Sequence, residues 1–178
     1  MGVDYASTAD KQRDKDRDYF AVAIGRAQPS GSGIILIDGY RGHLSQAEAQ
    51  DKLLELVAFY PNTEVIGIES VGKGEEFYHL LSSHRSLPIV SMNPGGQGKG
   101  PRFQNAMAPL FERGWARITD AESPFMQAFR HEWLRWPWGD HDDTLDATYW
   151  MLRAGQSHLP PVSNKPKLSS PFSDFGRT

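Results

Sequence analysis

The chain has 178 residues, 39% of them hydrophobic and 23% charged, with a net charge of −3 and no cysteine. That composition fits one folded domain with a real core. It excludes disulfides and thiolate metal sites, and no apolar run approaches the ~20 residues that cross a bilayer, so no membrane association is expected. The N-terminus lacks the basic-then-apolar pattern of a secretion signal, which suits a cytoplasmic protein. A domain that gripped nucleic acid unaided would usually be basic. An acidic balance is compatible with nucleic-acid chemistry only if catalytic carboxylates offset the basic residues and another domain supplies affinity.

Residues 2–6 (GVDYA) form a short apolar segment interrupted by Asp4. Residues 7–17 are polar and mixed in charge and read as a loop. Residues 19–24 (YFAVAI) and 34–37 (IILI) are strands by their β-branched and aromatic content, joined through QPSGSG. Three consecutive antiparallel strands follow for residues 2–38. Ser45 and Glu48 form a capping box, and Leu53, Val57 and Tyr60 repeat at helical spacing until Pro61. Residues 65–68 (VIGI) are the next strand, buried and parallel to a neighbour across the helical crossover. Residues 75–84 read as a second helix with Phe77, Leu80 and Leu81 inward, and residues 88–91 (PIVS) as a fifth strand.

Residues 93–101 (NPGGQGKGP) are expected as a flexible loop, followed by a broken helical stretch containing Pro109 and a turn at Gly114. Ser123-Pro124 is a cap with proline at the first helical position, opening a helix through Phe129 and Trp133. The loop WPWGDHDD leads into a last helix, about residues 144–153. Residues 155–178 are rich in Pro and Ser, lack periodicity and read as a flexible tail. The order predicts an α/β fold: a mixed sheet of three antiparallel strands and then two parallel ones, with helices on both faces.

Asp4 interrupts an apolar strand, Glu69 ends one, and Asp142, Asp143 and Asp146 crowd the start of an otherwise apolar helix. A charge within a buried strand is costly unless paired or metal-bound. Each acid alone has an ordinary explanation: a frayed terminus for Asp4, a cap or a pair with Lys73 for Glu69, a helix dipole for the aspartates. Together they fall on the first strand, the fourth strand and the last helix, which a ribonuclease-H-like order brings to one edge of the sheet. Asp143 and Asp146 share one helix face, while Leu145, Tyr149 and Leu152 lie on another. Hard carboxylate oxygens suit Mg²⁺ or Mn²⁺, and two such ions serve phosphodiester hydrolysis.

The stretch EVIGIESVGKG approaches the phosphate-binding pattern G-x-x-x-x-G-K-[ST]. Gly74 stands where Ser or Thr should hold Mg²⁺, and Glu69 inside the loop would repel phosphate. The stretch therefore reads as a strand, an acid and a turn into a helix.

GVDYA, IGIESVGKG, KGPRFQNAMAPLFERG and GDHDDTLDATYW, in this order and spacing, resemble the nuclease domain of the large terminase subunit of tailed bacteriophages. The resemblance spans residues 2–154. It implies a ribonuclease-H-like nuclease domain over residues 1–154 that cuts concatemeric double-stranded viral DNA during genome packaging by a two-metal mechanism. Asp4, Glu69 and Asp143 match the three metal-binding acids, with Asp142 and Asp146 as helpers. Whether Asp142 or Asp143 is the main ligand stays open, and His141 is a possible contributor. The resemblance further implies an N-terminal ATPase domain in the full-length protein, absent from this chain, with Met1 an added start. It also implies the portal and the small terminase subunit as partners, in the cytoplasm of an infected bacterial host. Lys99, Arg102, Lys11 and Arg13 are candidate DNA contacts. Trp133, Trp136 and Trp138 fit core or loop packing better than base stacking. A Holliday-junction resolvase of the same fold is the alternative enzyme, with a near-terminal first aspartate and a closing D-x-x-D helix. A non-enzymatic portal-docking module is the alternative of another class.

Overall fold

A computed structural model of the protein describes residues 1–5, 19–29, 32–84, 86–96 and 98–159. Its strands are β1 (Gly2–Asp4), β2 (Phe20–Ala27), β3 (Ile34–Gly42), β4 (Ile66–Glu69), β5 (Ile89–Met92) and β6 (Ala116–Ile118). They form one sheet in the order β5-β4-β1-β2-β3-β6. The first three strands pair antiparallel, and β4 and β5 continue parallel from β1, as the sequence predicts. The short edge strand β6, parallel to β3, is an addition. β3 also runs five residues beyond the predicted IILI, through Asp38-Gly39-Tyr40-Arg41-Gly42, because this polar stretch completes its ladder with β2.

The helices are α1 (Gln46–Phe59), α2 (Lys73–Leu81), α3 (Lys99–Pro101), α4 (Ala108–Glu112), α5 (Pro124–Arg135) and α6 (Asp143–Ala154). A π-helical segment, Arg102–Met107, joins α3 to α4. The expected capping box at Ser45 and Glu48 is present, and Ser123 caps α5 through Met126 N–H. The loop expected over residues 93–101 is shorter than predicted, because Lys99–Pro101 already open the helical run. Among residues assigned to the tail, Gln156–His158 form a 3₁₀ turn whose His158 carbonyl accepts from Gly33 N–H. Leu159 packs on the core. Residues 160–178 lie outside the described residues.

Alternation along the strands builds two apolar layers. Val3, Tyr5, Phe20, Val22, Ile24, Ile66 and Ile68 face α1 and α2, where Leu53, Phe77 and Leu81 complete a dry core. Tyr5 stacks on Phe77 with ring centroids 4.3 Å apart. On the opposite face the central strands carry small residues. Ala21 and Ala23 of β2 lie under α6, beside the residues Leu145, Tyr149, Trp150 and Leu152. Gly2 admits α6 to this floor: a Cβ there would sit 2.0 Å from Met151 N and 2.3 Å from the Ala147 carbonyl. Gly67 does the same on β4, where a Cβ would meet Ala154 Cβ at 2.9 Å and the Trp150 carbonyl at 3.0 Å.

This packing removes the nucleotide-loop reading of EVIGIESVGKG. The first glycine of the pattern lies inside β4, paired with Gly2 and Val90 and covered by α6. Gly72 makes the turn into α2 at φ +60°, a conformation that side-chain-bearing residues rarely adopt. Gly74 passes the Glu69 carbonyl so closely that a Cβ would be 2.4 Å from it.

Candidate active site

The floor glycines and the acids belong to one pattern. Gly2-Val3-Asp4 and Gly67-Ile68-Glu69 are adjacent parallel strands, with Gly2 aligned with Gly67 and Val3 with Ile68. The register continues to Asp4 and Glu69, so the two acids end neighbouring strands side by side. A two-residue step along a strand is about 6.6 Å, and one turn of helix rises about 5.4 Å. Moving from Gly2 to Asp4 therefore corresponds to one turn along α6, from Ala147 and Met151 back toward Asp143. The sheet edge thus meets the first turn of α6, where Asp143 and Asp146 are.

Asp143 and Asp146 are buried, at 4% and 2% exposure. The sequence places them together on one face of the helix, apart from the core-facing Leu145, Tyr149 and Leu152. In the structure both faces are covered: every residue from Asp143 to Leu152 is buried, because the acids face strand-borne carboxylates, the buried Arg102 and the half-exposed Lys99. Asp4 and Glu69 are half-buried. Burial pushes the Asp4 carboxyl well above the ordinary aspartate value, and Asp146, Asp143 and Glu69 add to the shift while Lys99 opposes it. Burial likewise raises Glu69 and Asp146, against the pull of Arg102 and Lys99.

The predicted basic residues Lys99 and Arg102 come directly to these acids. Lys99 Nζ lies 2.5 Å from Asp142 Oδ1 and 2.9 Å from Asp146 Oδ2. Between them these acids push the Lys99 ammonium above its ordinary range. Arg102, 5% exposed, places NH1 3.2 Å from Asp146 Oδ1 and 3.5 Å from Glu69 Oε1. Its guanidinium also lies over the Tyr149 and Trp150 rings, 5.5 and 5.3 Å from their centroids. An arginine can sustain such burial because its weakly hydrated plane both pairs and stacks. Lys11 and Arg13 lie outside the described residues, as do Lys15 and Arg17.

Asp142 and Asp143 have different surroundings. Asp142 is held by Lys99 on the outer side. Asp143 turns inward: its Oδ1 accepts from Tyr19 N–H at 3.0 Å, and its Oδ2 lies 3.5 Å from Arg41 NH2 and 3.7 Å from His141 Nδ1. Arg41, Glu132 and Tyr19 were missed by sequence reasoning. Arg41 sits in the unpredicted part of β3, and its guanidinium lies 3.5 Å from the Tyr19 ring centroid. Glu132 is an acid in an amphipathic helix, and nothing local marks it as buried. Trp133 and Trp136 pack on the core, as expected from their spacing, but Trp138 is 90% exposed.

Among the described residues, no three histidine or carboxylate side chains converge as a ready-made metal cage. The donor set fits a hard divalent cation in kind: Asp143, Asp146 and Glu69 lie within electrostatic reach of Asp4, where burial and like charge disfavour ionisation.

The sequence matches no family model and no curated protein. Solved structures do match. The crystal structure of the fowlpox virus Holliday junction resolvase is 13% identical, with a TM-score of 0.51, and the match covers 89% of this chain and 97% of that one. The fowlpox virus resolvase in complex with Holliday junction DNA is 15% identical at a TM-score of 0.54, with the same coverage. At these identities the likeness is one of fold. It shows the fold class: a mixed α/β domain whose six-stranded sheet, antiparallel and then parallel, is built like that of these resolvases.

Proposed function

We propose that the protein is a metal-dependent endonuclease that hydrolyses DNA phosphodiester bonds at the acid-lined edge of its sheet. The observation that carries this reading is the side-by-side pair Asp4 and Glu69 meeting Asp143 and Asp146 at the start of α6. Asp4, Glu69 and Asp143 would hold the divalent ions, two in this reading, with Asp142 and Asp146 adjoining. When bound, Mg²⁺ or Mn²⁺ supplies an activated water and neutralises charge growing on phosphorus. Tyr19 N–H fixes the orientation of Asp143, with the Arg41 guanidinium beside its other oxygen. Lys99, about half exposed at the start of α3, has solvent on one side and can turn from Asp142 to a phosphate oxygen. Arg102 is too buried to reach far, and it steadies Glu69 and Asp146 instead.

Two substrates have separate support. The fowlpox protein is a resolvase crystallised with its junction DNA. Likeness to it over 89% of this chain favours a four-way junction, and hence a Holliday-junction resolvase. The second reading is the terminase nuclease, cutting linear concatemeric duplex beside an ATPase domain, a portal and a small terminase subunit. It is supported by the order of the four sequence segments, one of which brings Lys99 and Arg102 to Asp146 and Glu69 of two others. The net charge of −3 also favours a chain that borrows DNA affinity from elsewhere.

The deciding experiment incubates the protein with a four-way junction and with a linear duplex of the same sequence, each with Mg²⁺ or Mn²⁺. The Asp143→Ala variant runs beside it. Paired symmetric nicks confined to the junction support the resolvase. Sequence-tolerant cutting of the linear duplex supports the terminase nuclease. Wild-type protein that cuts neither, or Asp143→Ala protein that still cuts, overturns the proposed site.

A further inference from the structure

The helix α6 begins without a side-chain cap of its own. Asp142 stands at the cap position, yet makes no cap hydrogen bond, and its carboxylate is engaged by Lys99. The acceptor is supplied by α5. Glu132 Oε2 accepts from Thr144 N–H at 2.9 Å and also from the Thr144 hydroxyl. Its other oxygen, Oε1, lies 3.5 Å from Arg41 NH2, and that same nitrogen is 3.5 Å from Asp143 Oδ2. Glu132 is 3% exposed and Asp143 4%. One guanidinium is therefore divided between two buried carboxylates, one at the proposed metal site and one behind it. A buried carboxylate needs a compensating cation, and a cation held by one partner is less available to the other.

We infer that Glu132 is a positioning residue for Asp143: it fixes the first turn of α6 through Thr144 and draws Arg41 away, keeping Asp143 in place and available to a divalent cation. This rests on the endonuclease reading. A carboxylate that faced Arg41 alone would hold that guanidinium as its permanent counter-ion and bind a metal weakly. Supporting groups behind metal ligands typically govern affinity by 10–100-fold. Here the support acts from α5 through a shared arginine.

The test is Mn²⁺ binding to the metal-free protein, measured by calorimetric titration and by loss of the free-ion electron paramagnetic resonance signal, with melting temperature followed in parallel. Glu132→Gln retains a carbonyl to accept from Thr144 but loses the charge that attracts Arg41. It is expected to melt close to wild type and to bind Mn²⁺ about tenfold more weakly. Arg41→Met added to Glu132→Gln is expected to restore most of that affinity, because the guanidinium 3.5 Å from Asp143 Oδ2 no longer competes with the metal. A purely structural role would make the double variant worse than either single one. Unchanged affinity in Glu132→Gln, or no recovery on adding Arg41→Met, overturns the inference. Should Glu132→Gln fail to fold, Arg41→Met alone decides: tighter Mn²⁺ binding supports the shared guanidinium, and equal or weaker binding overturns it. Wild-type protein that binds Mn²⁺ but cuts no DNA removes the endonuclease reading and leaves the charge sharing standing. Wild-type protein that binds no Mn²⁺ removes both.

Discussion

The first half of α6, residues 143–148, and residues 149–152 of its second half lie on the same sheet face and are all buried. The first half sets Asp143, Thr144 and Asp146 among Lys99, Arg102, Arg41 and Glu132. The second half sets Tyr149, Trp150, Met151 and Leu152 against Gly2, Gly67 and the alanines of β2. Burial of apolar surface in the second half stabilises the fold, while burial of charge in the first half costs stability unless each carboxylate finds a cation. The apolar half anchors the helix, and that anchorage holds the acids together against their repulsion.

Substitutions should divide along this line. The largest effect belongs to Asp143→Ala, which is expected to lower DNA cleavage by ~10³-fold or more while the melting temperature stays near wild type. A rate assay beside a thermal melt checks both halves of the statement. Next comes Trp150→Ala, which empties a fully buried site and should cost roughly 3–5 kcal/mol in a urea titration, with cleavage per folded molecule largely kept. Gly67→Ala forces a methyl against Ala154 and the Trp150 carbonyl and should cost about 1–3 kcal/mol. Because it lifts α6 from the strand that bears Glu69, it should weaken cleavage as well, blurring the division in a way Trp150→Ala does not.

The smallest effect on stability has the opposite sign. Burial and neighbouring acids raise the folded pKa of Asp4 above its ordinary value of 3.8. The folded chain then keeps a proton that the unfolded chain has released. Stability of the metal-free protein must fall as pH rises from the unfolded value through the raised folded one. Asp4→Asn removes that contribution and should raise the melting temperature at neutral pH by about 2–4 °C while abolishing cleavage. Equal melting curves for the two proteins across pH 4–8, a range set about the unfolded aspartate value, would contradict the charge strain assigned to this edge.

Much of this arrangement is legible in the sequence because it is written in local chemistry. The capping box at Ser45 and Glu48 and the Ser123-Pro124 start are complete within a few residues, and both form as expected. Asp4 and Glu69 stand out because an acid in an apolar strand is anomalous wherever the strand lies. What stays hidden depends on distant partners. β6 is three residues long and is recruited by β3, so no periodicity announces it. Arg41 lies in a stretch with turn-like composition that becomes strand by pairing with β2. Glu132 has the pattern of a solvated helix residue until Thr144 and Arg41 close around it. The sequence offers Lys99 and Arg102 as candidate DNA contacts without revealing that both pair with the acids.

The paired segments Gly2-Val3-Asp4 and Gly67-Ile68-Glu69 have a consequence for anyone wishing to transplant the site. Copying only the acids onto another pair of parallel strands would leave ordinary side chains beneath the crossing helix, which would then ride too high to deliver its aspartates. The transferable unit is a small residue followed two positions later by an acid, repeated in register on adjacent strands. The glycines set the height of the helix, so a graft without them would have the right donors at the wrong separation.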